Sequence, residues 1–515
     1  MKPRALAMAA VVVSVYSGAA FANWTATGRF VYEDRDWNET GFTGTITVRP
    51  VRFADVEVYD AAKTGSKAIL AKGKTAADGS FSIAVVDSST RRVRVRVLTS
   101  TTQTSGLFVK VTNPGGSVYA GLGPEVAGHA PTVNVDFGTL TAPAFAGGEA
   151  FNIFDMGIHG ADYLKAVHGS WPTSKQALTL KWAAAGGVTV STTSGYTVTL
   201  RDTAGYDDTV ILHEWAHYAM NIHSKSSNPG GTHALSDCNE DLRLAFDEGR
   251  ATYLGNAVIR SSGIGPASVY VRTSGASGPG GATNWFDLED EIQYACDGAT
   301  SEVTVARSLW DIGDGASTAD SSPGVEETHD RLSLPDREVW QVFSGPVKSA
   351  STVTHESFWN GWFDATIANG FLLEMRDLFG FLSIDYRPDA QEPNDTTGQA
   401  VAIFPNDPPL RLTYFADPDG DGKGQADTDL FRLDALSGTV YTVETLDLLS
   451  DANTLIEILD TNGSTVLASN DNRSTSDPSS LVTWTAPRTD TFYVRSRHAT
   501  DVGIHGTYSL RVTTP

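Results

Sequence analysis

Cysteine is nearly absent from this chain: Cys238 and Cys296 are the only two in 515 residues. An even pair in an oxidising compartment reads as one disulfide rather than as two metal ligands. Closing the loop between them stabilises a fold by about 4 kcal/mol on the chain-entropy model. Basic residues are also scarce, with 38 Lys and Arg against 61 Asp and Glu and a formal net charge of −23. That balance argues against nucleic acid or an anionic membrane as partner. Past the first residues no stretch reaches the roughly 20 apolar residues that a membrane span needs, so no span is expected.

The amino terminus has the pattern of an export leader. Lys2 and Arg4 form a basic head, Ala5 to Val15 an apolar run, and Ala20-Phe21-Ala22 a small-x-small cleavage site. Residues 1–22 are read as a signal peptide and the protein as secreted. The remainder is too long for one core, and its abundant glycine and proline, 49 and 22 residues, predict many turns and much β structure. The expected fold is multidomain: an N-terminal β-sandwich (23–141), a central α+β zincin-like domain (149–388) and a C-terminal β-sandwich (389–515).

The chemistry centres on His213-Glu214-Trp215-Ala216-His217, an H-E-x-x-H pentapeptide. On a helix, residues four apart share a face, so both imidazoles reach one metal ion while Glu214 faces a water beside it. Chance alone produces this pattern in on the order of 1% of chains of this length, so context decides. A catalytic zinc needs a third protein ligand and one open position. His223 has the spacing of the metzincins, but the place where those proteins turn sharply at a glycine is Met220. A methionine resists positive φ, so the helix should run on and carry His223 away. The alternative is Glu248. Phe246-Asp247-Glu248-Gly249-x-Ala251-x-Tyr253 resembles the Glu-Gly segment through which gluzincins supply their third ligand. Glu248 is favoured. In the thermolysin-type pattern an Asp four residues later supports a zinc histidine; here that residue is Thr252, leaving Asp247 as a weak substitute. Gly249, inside a helix, implies a close neighbour, expected to be the H-E-x-x-H helix. Asp207 and Asp208 read as caps of that helix.

Before this region, Arg52 to Asp60 followed by Asp78-Gly79-Ser80-Phe81 resembles transthyretin-like or carboxypeptidase-regulatory-like modules. Arg92, Arg94 and Arg96 alternate with valines as a solvated strand face. After it, the Phe358-Trp359-Asn360-Gly361-Trp362-Phe363 aromatics read as core. The C-terminal segment resembles the bacterial pre-peptidase C-terminal domain through Glu392-Pro393-Asn394-Asp395, Asp427-Thr428-Asp429-Leu430-Phe431 and Gly506-Thr507-Tyr508-Ser509-Leu510. That resemblance implies a domain that binds an extracellular polymer or is removed after secretion, with Glu392, Asn394, Asp395 and Asp429 as calcium positions. Oxygen ligands suit a hard cation.

The expected activity is zinc-dependent hydrolysis of a protein or peptide substrate, with Glu214 as general base. Tyr253, Tyr294 and His329 are candidates to stabilise the oxyanion. Strand Tyr196 to Leu200 resembles the edge strand on which such enzymes lay substrate. The competing expectation is a secreted adhesion protein whose peptidase-like centre is inactive.

Overall fold

The computed structural model describes residues 24–102, 106–289, 294, 296–315, 329–367, 369–500 and 503–515. The leader read from the sequence lies outside them. The described chain is multidomain and rich in antiparallel sheet, with a modest helical content. No described helix is long and apolar enough to cross a membrane. Contacts divide the chain into two compact units, the first made of residues up to Tyr32, Arg49–Leu98 and Ala120–Ala142, the second of Glu33–Val48, Thr99–Tyr119 and Pro143–Pro515.

In the first unit, the Trp24–Tyr32 stretch pairs with strand Val135–Ala142 in parallel and with Ser80–Val85 antiparallel. A second sheet runs through Val126–His129, Arg91–Leu98, Asp55–Asp60 and Ile69–Lys74. Period-two patterning explains it: Val93, Val95 and Val97 are buried while Arg92 and Arg96 turn out to Glu125 and Glu57. Val56 and Val58 are likewise buried. Ile46 and Val48, on a strand assigned to the second unit, are instead exposed, so the alternation there does not mark a core face.

The second unit carries a sheet ordered Thr192–Ser194, Thr197–Thr199, Leu178–Lys181, Phe108–Thr112, Ser100–Thr102. Helix α1 (Gly148–His168) lies on it so closely that a Cβ at Gly157 would come within 2.7 Å of Val109. Helices α2 (Asp208–His223) and α3 (Leu242–Ser262) follow, then α4 (Glu302–Trp310), α5 (Asp336–Ser344), α6 (Pro346–Ser349), α7 (His355–Trp362) and α8 (Leu372–Phe381). Phe358, Trp359 and Trp362 are fully buried, as the aromatic-core expectation required. Each such side chain removed from water stabilises the unit by about 1.5–3 kcal/mol.

The same unit ends in two sheets, one of five strands that is antiparallel except for its parallel edge strand Val401–Ala402, and an antiparallel one of four. Their inner faces share a core containing Phe431, Ile456, Val494, Val443, Val482 and Leu510. Trp359 in α7 donates to the Gly422 carbonyl at 2.7 Å, and Arg376 in α8 pairs with Asp417 at 2.8 Å, so these sheets rest on the helices rather than hanging from a linker.

Candidate metal centre

Helix α2 is set in place at its start by two buried carboxylates. As expected, Asp207 stands at the N-cap and Asp208 in the first turn, but the Asp207 side chain makes no cap bond. Asp207 instead binds Arg201 and Thr273, and Asp208 accepts from Trp37 Nε1 at 3.1 Å and Asn152 Nδ2 at 2.8 Å. These are tertiary ties. Further along, Trp215 packs where a Cβ at Gly160 of α1 would sit 2.3 Å from its ring. The opposite face meets α3 at Gly255, whose Cβ would lie 3.0 Å from the His213 amide nitrogen. Gly249 serves a different neighbour from the one expected: its Cβ would meet Glu302 O and Val305 at 2.6 Å, so it admits α4, not α2.

The close α2–α3 contact brings three ligand-type side chains together. His213 and His217 present Nε2 atoms each 3.1 Å from Oε2 of Glu248. One donor atom from each of the three lies within 4.8 Å of the others, a set that can hold a metal ion. The outward nitrogens are engaged too: His213 Nδ1 is 3.0 Å from Thr252 Oγ1, and His217 Nδ1 is 3.5 Å from Asp247 Oδ2. Thr252 therefore occupies the supporting position with a hydroxyl, and Asp247 supports the second histidine. Arg250 and Asn228 brace Asp247 at 2.5 and 3.3 Å, and Asn228 also donates to Glu248 Oε1 at 3.0 Å.

Electrostatics point the same way. Burial alone pulls the His217 imidazole down, but Glu248 and Asp247 outweigh it and hold it well above its ordinary value. Burial pushes the Glu248 carboxyl up, and the two histidines overcome this and hold it well below. A buried carboxylate facing two imidazoles demands positive charge, from protons or from a metal.

Glu214 lines the same cleft, whose volume is about 720 Å³. Thr193 Oγ1 lies 2.6 Å from Glu214 Oε2 and 2.9 Å from its carbonyl oxygen, fixing the carboxylate. Thr193 belongs to strand Thr192–Ser194, which is the sheet edge; the Tyr196 to Leu200 stretch forms the next strand inward, so the edge is one strand away from where it was expected.

His223 is not part of this group. Helix α2 runs through Met220 to His223, whose ring lies tilted 3.8 Å from that of His168 and edge-on 5.9 Å from Trp340. Burial and His168 pull it down to about 4. The oxyanion candidates also lie elsewhere: Tyr253 OH donates to Asp336 at 3.2 Å, Tyr294 packs on Phe286, and His329 stacks on Phe381 beside Asp377. The cleft is lined instead by Tyr270, Arg272 and His233, which sequence reasoning missed. Tyr270 sits in a short alternating strand, Val269–Thr273, a signal available but overlooked.

Three further acidic groupings occur among the described residues, one of them the largely exposed Asp417, Asp419 and Asp421. His233, Glu240 and Glu302 bring ligand atoms within 4.8 Å of one another, and so do Asp389, Glu392, Asp427 and Asp429. Of the four calcium positions expected, Glu392 and Asp429 are in the last group. Asn394 donates to Asp429 at 2.9 Å and keeps a buried Oδ1 with no hydrogen-bond partner among the described residues, while Asp395 is exposed. Asp389 and Asp427 complete the grouping. Burial and Asp395 push Glu392 up to about 7, and burial with neighbouring carboxylates raises Asp427 and Asp429 well above the usual range. Cys238 and Cys296 form the disulfide that their pairing suggested.

No protein-family model matches the chain. No curated protein matches it either. Among solved structures it is similar to the pre-peptidase C-terminal domain of a collagenase from Bacillus anthracis, at 16% identity over 22% of this chain and 94% of that one, with a TM-score of 0.18. PliG, a periplasmic inhibitor of g-type lysozyme from Aeromonas hydrophila, matches at 16% identity over 22% and 96%, TM-score 0.17. A 9R-lipoxygenase from Cyanothece matches at 18% over 28% and 24%, TM-score 0.15.

Proposed function

We propose that this protein is an exported zinc-dependent peptidase of gluzincin type. The observation that carries the reading is the convergence of His213, His217 and Glu248 on one point, in a cleft that also holds Glu214. Two imidazoles and one carboxylate make the donor set of a catalytic zinc with a position left open. A zinc ion held there supplies Lewis acidity toward water and toward a peptide carbonyl. Glu214, fixed by Thr193, takes a proton from the attacking water and passes it to the leaving amine. His233 and Tyr270 line the same cleft and are the proposed donors to the oxyanion. The edge strand Thr192–Ser194 offers unpaired backbone groups to an extended peptide. Its C-terminal sheets are proposed as a pre-peptidase C-terminal domain that binds calcium, on the motifs quoted above and the convergence of Asp389, Glu392, Asp427 and Asp429.

The test is zinc analysis of the purified mature chain with a casein or peptide assay on wild type and Glu214→Gln. The expected result is about one zinc retained in both at this site and a loss of roughly 10²–10⁴-fold in kcat for the variant. Equal activity in both proteins sinks the mechanism. Absence of zinc binding favours a secreted adhesion protein with an inactive centre.

A further inference from the structure

Beside the first centre lies a cluster of which the peptidase reading uses only His233. His233 reaches it from the loop after α2, Glu240 from the end of that loop, and Glu302 from the first turn of α4. His233 Nδ1 is 3.0 Å from Glu302 Oε2, and one ligand atom from each of the three lies within 4.8 Å of the others. Glu240 is only 5% exposed. Its Oε2 accepts the Glu302 amide at 3.2 Å, and its Oε1 is buried with no hydrogen-bond partner among the described residues. Two local ties hold the pair: Glu240 N donates to the Thr300 carbonyl at 2.9 Å, and the Cys238–Cys296 disulfide joins the two segments just outside them.

Charge balance says what is missing. Glu240 and Glu302 are both buried, and the strongest charged neighbours of Glu240 are Glu302, His233 and Asp237. One imidazolium offsets one carboxylate, so the other must either hold a proton or meet a second positive charge to avoid a buried, uncompensated anion. A dication meets both carboxylates at once and takes up the orphaned oxygen. One imidazole nitrogen with two carboxylate oxygens suits zinc or a similar transition-metal ion better than calcium, which prefers oxygen alone.

We infer that His233, Glu240 and Glu302 form a second divalent transition-metal site next to the proposed catalytic one. His233 joins the two. Its Nδ1 faces the second site, and its Nε2 lies 4.0 Å from Glu248 Oε2. A metal on Nδ1 leaves Nε2 as the protonated nitrogen, a fixed donor aimed toward the cleft. The inference shares His233 with the proposed oxyanion role, but its ligands include none of His213, His217 or Glu248, so the two metal sites can be tested separately.

Zinc stoichiometry tests it, by calorimetric titration of the untagged, chelator-stripped mature protein in excess calcium, which occupies oxygen-only sites. Wild type is expected to bind two equivalents, and Glu240→Gln and Glu302→Gln one each. His217→Ala, which disables the first centre, is expected to keep one equivalent that Glu240→Gln then removes. If only the catalytic-zinc reading fails, wild type binds one equivalent that is lost in Glu240→Gln and retained in His217→Ala, and the second site still stands. Unchanged stoichiometry in folded Glu240→Gln and Glu302→Gln overturns the inference. Should both variants fail to fold, His217→Ala decides: one equivalent supports the second site, and none overturns it.

Discussion

Thr252 Oγ1 lies 3.0 Å from Nδ1 of His213, on the side of the ring opposite the nitrogen that faces Glu248. A hydroxyl here orients the imidazole without adding negative charge, in contrast to Asp247 beside His217. Removing an outer partner of a metal-binding histidine costs about 10–100-fold in metal affinity. Thr252→Val should therefore weaken zinc at the first centre by about that factor, while Thr252→Ser should restore it. Competition with a chromophoric chelator measures this. Equal affinity in Thr252→Val and wild type would show that the hydroxyl does not support the ligand.

Thr193 offers a separate handle on the general base. Its hydroxyl is 2.6 Å from Glu214 Oε2. A hydrogen bond to a charged group is worth about 1.5–3 kcal/mol, which corresponds to roughly 10–100-fold in rate if it is spent on positioning. Thr193→Val should lower kcat within that range and leave zinc content unchanged. A fall in zinc content would instead place Thr193 in the support of the metal site.

What the sequence made legible was local. His213 and His217 share a face because they are four residues apart, and the small residues around Glu248 mark a helix that packs closely. The continuation of α2 through Met220 followed from the cost of turning the chain there. What was hidden depends on the fold. His233, Glu240 and Glu302 come from a loop and a later helix joined by a disulfide, and no periodicity links them. Asp389 and Asp427 escaped notice because they meet Glu392 and Asp429 only after the C-terminal strands pair. Asp207 and Asp208 looked like caps because acids at a helix start usually are; their partners, Arg201, Thr273, Trp37 and Asn152, are distant in sequence or in a loop.

The disulfide closes a 58-residue separation, and its Cys238 end anchors the loop between α2 and α3 that carries Asn228 and His233 of the cleft. Cys238→Ser with Cys296→Ser should lower unfolding free energy by about 4 kcal/mol on the chain-entropy model. Urea denaturation of the chelator-stripped protein measures it free of bound metal. A change within experimental error would mean that the surrounding contacts hold the loop without the bridge.

His498 gives a pH signature. It is 3% exposed, and burial, with His505 second, pulls it down to about 4. A folded-state value below the unfolded 6.5 means that the unfolded chain takes up the proton first as pH falls. The histidine's penalty is absent above pH 6.5, grows as pH drops from 6.5 to about 4, and is complete below that. At about 1.4 kcal/mol per unit it reaches about 3 kcal/mol. Taking the difference between wild type and His498→Phe removes the contributions of other groups. The variant's stability relative to wild type should rise as pH falls across this window, even if the variant is less stable at neutral pH. A difference that does not vary between pH 7 and 4 would show that His498 titrates normally.

Asp389, Glu392, Asp427 and Asp429 offer several oxygens within 4.8 Å of one another, and Asn394 adds a buried one with no partner among the described residues. Without a cation, burial and the neighbouring carboxylates push Glu392 up to about 7 and hold Asp427 and Asp429 well above the usual range, so the folded protein favours protons on the two buried aspartates over adjacent buried anions. A calcium ion removes that need. If the C-terminal sheets bind calcium only when folded, saturation at 100 times Kd should stabilise them by about 2.7 kcal/mol. Asp427→Asn removes one charge and keeps the shape, so it should lower the calcium-dependent gain while leaving the calcium-free protein as stable as wild type or more so. Differential scanning calorimetry with and without calcium, on both proteins at neutral pH, tests the pair of expectations. A Tm indifferent to calcium in wild type would remove the site, and an equal gain in Asp427→Asn would remove Asp427 from it.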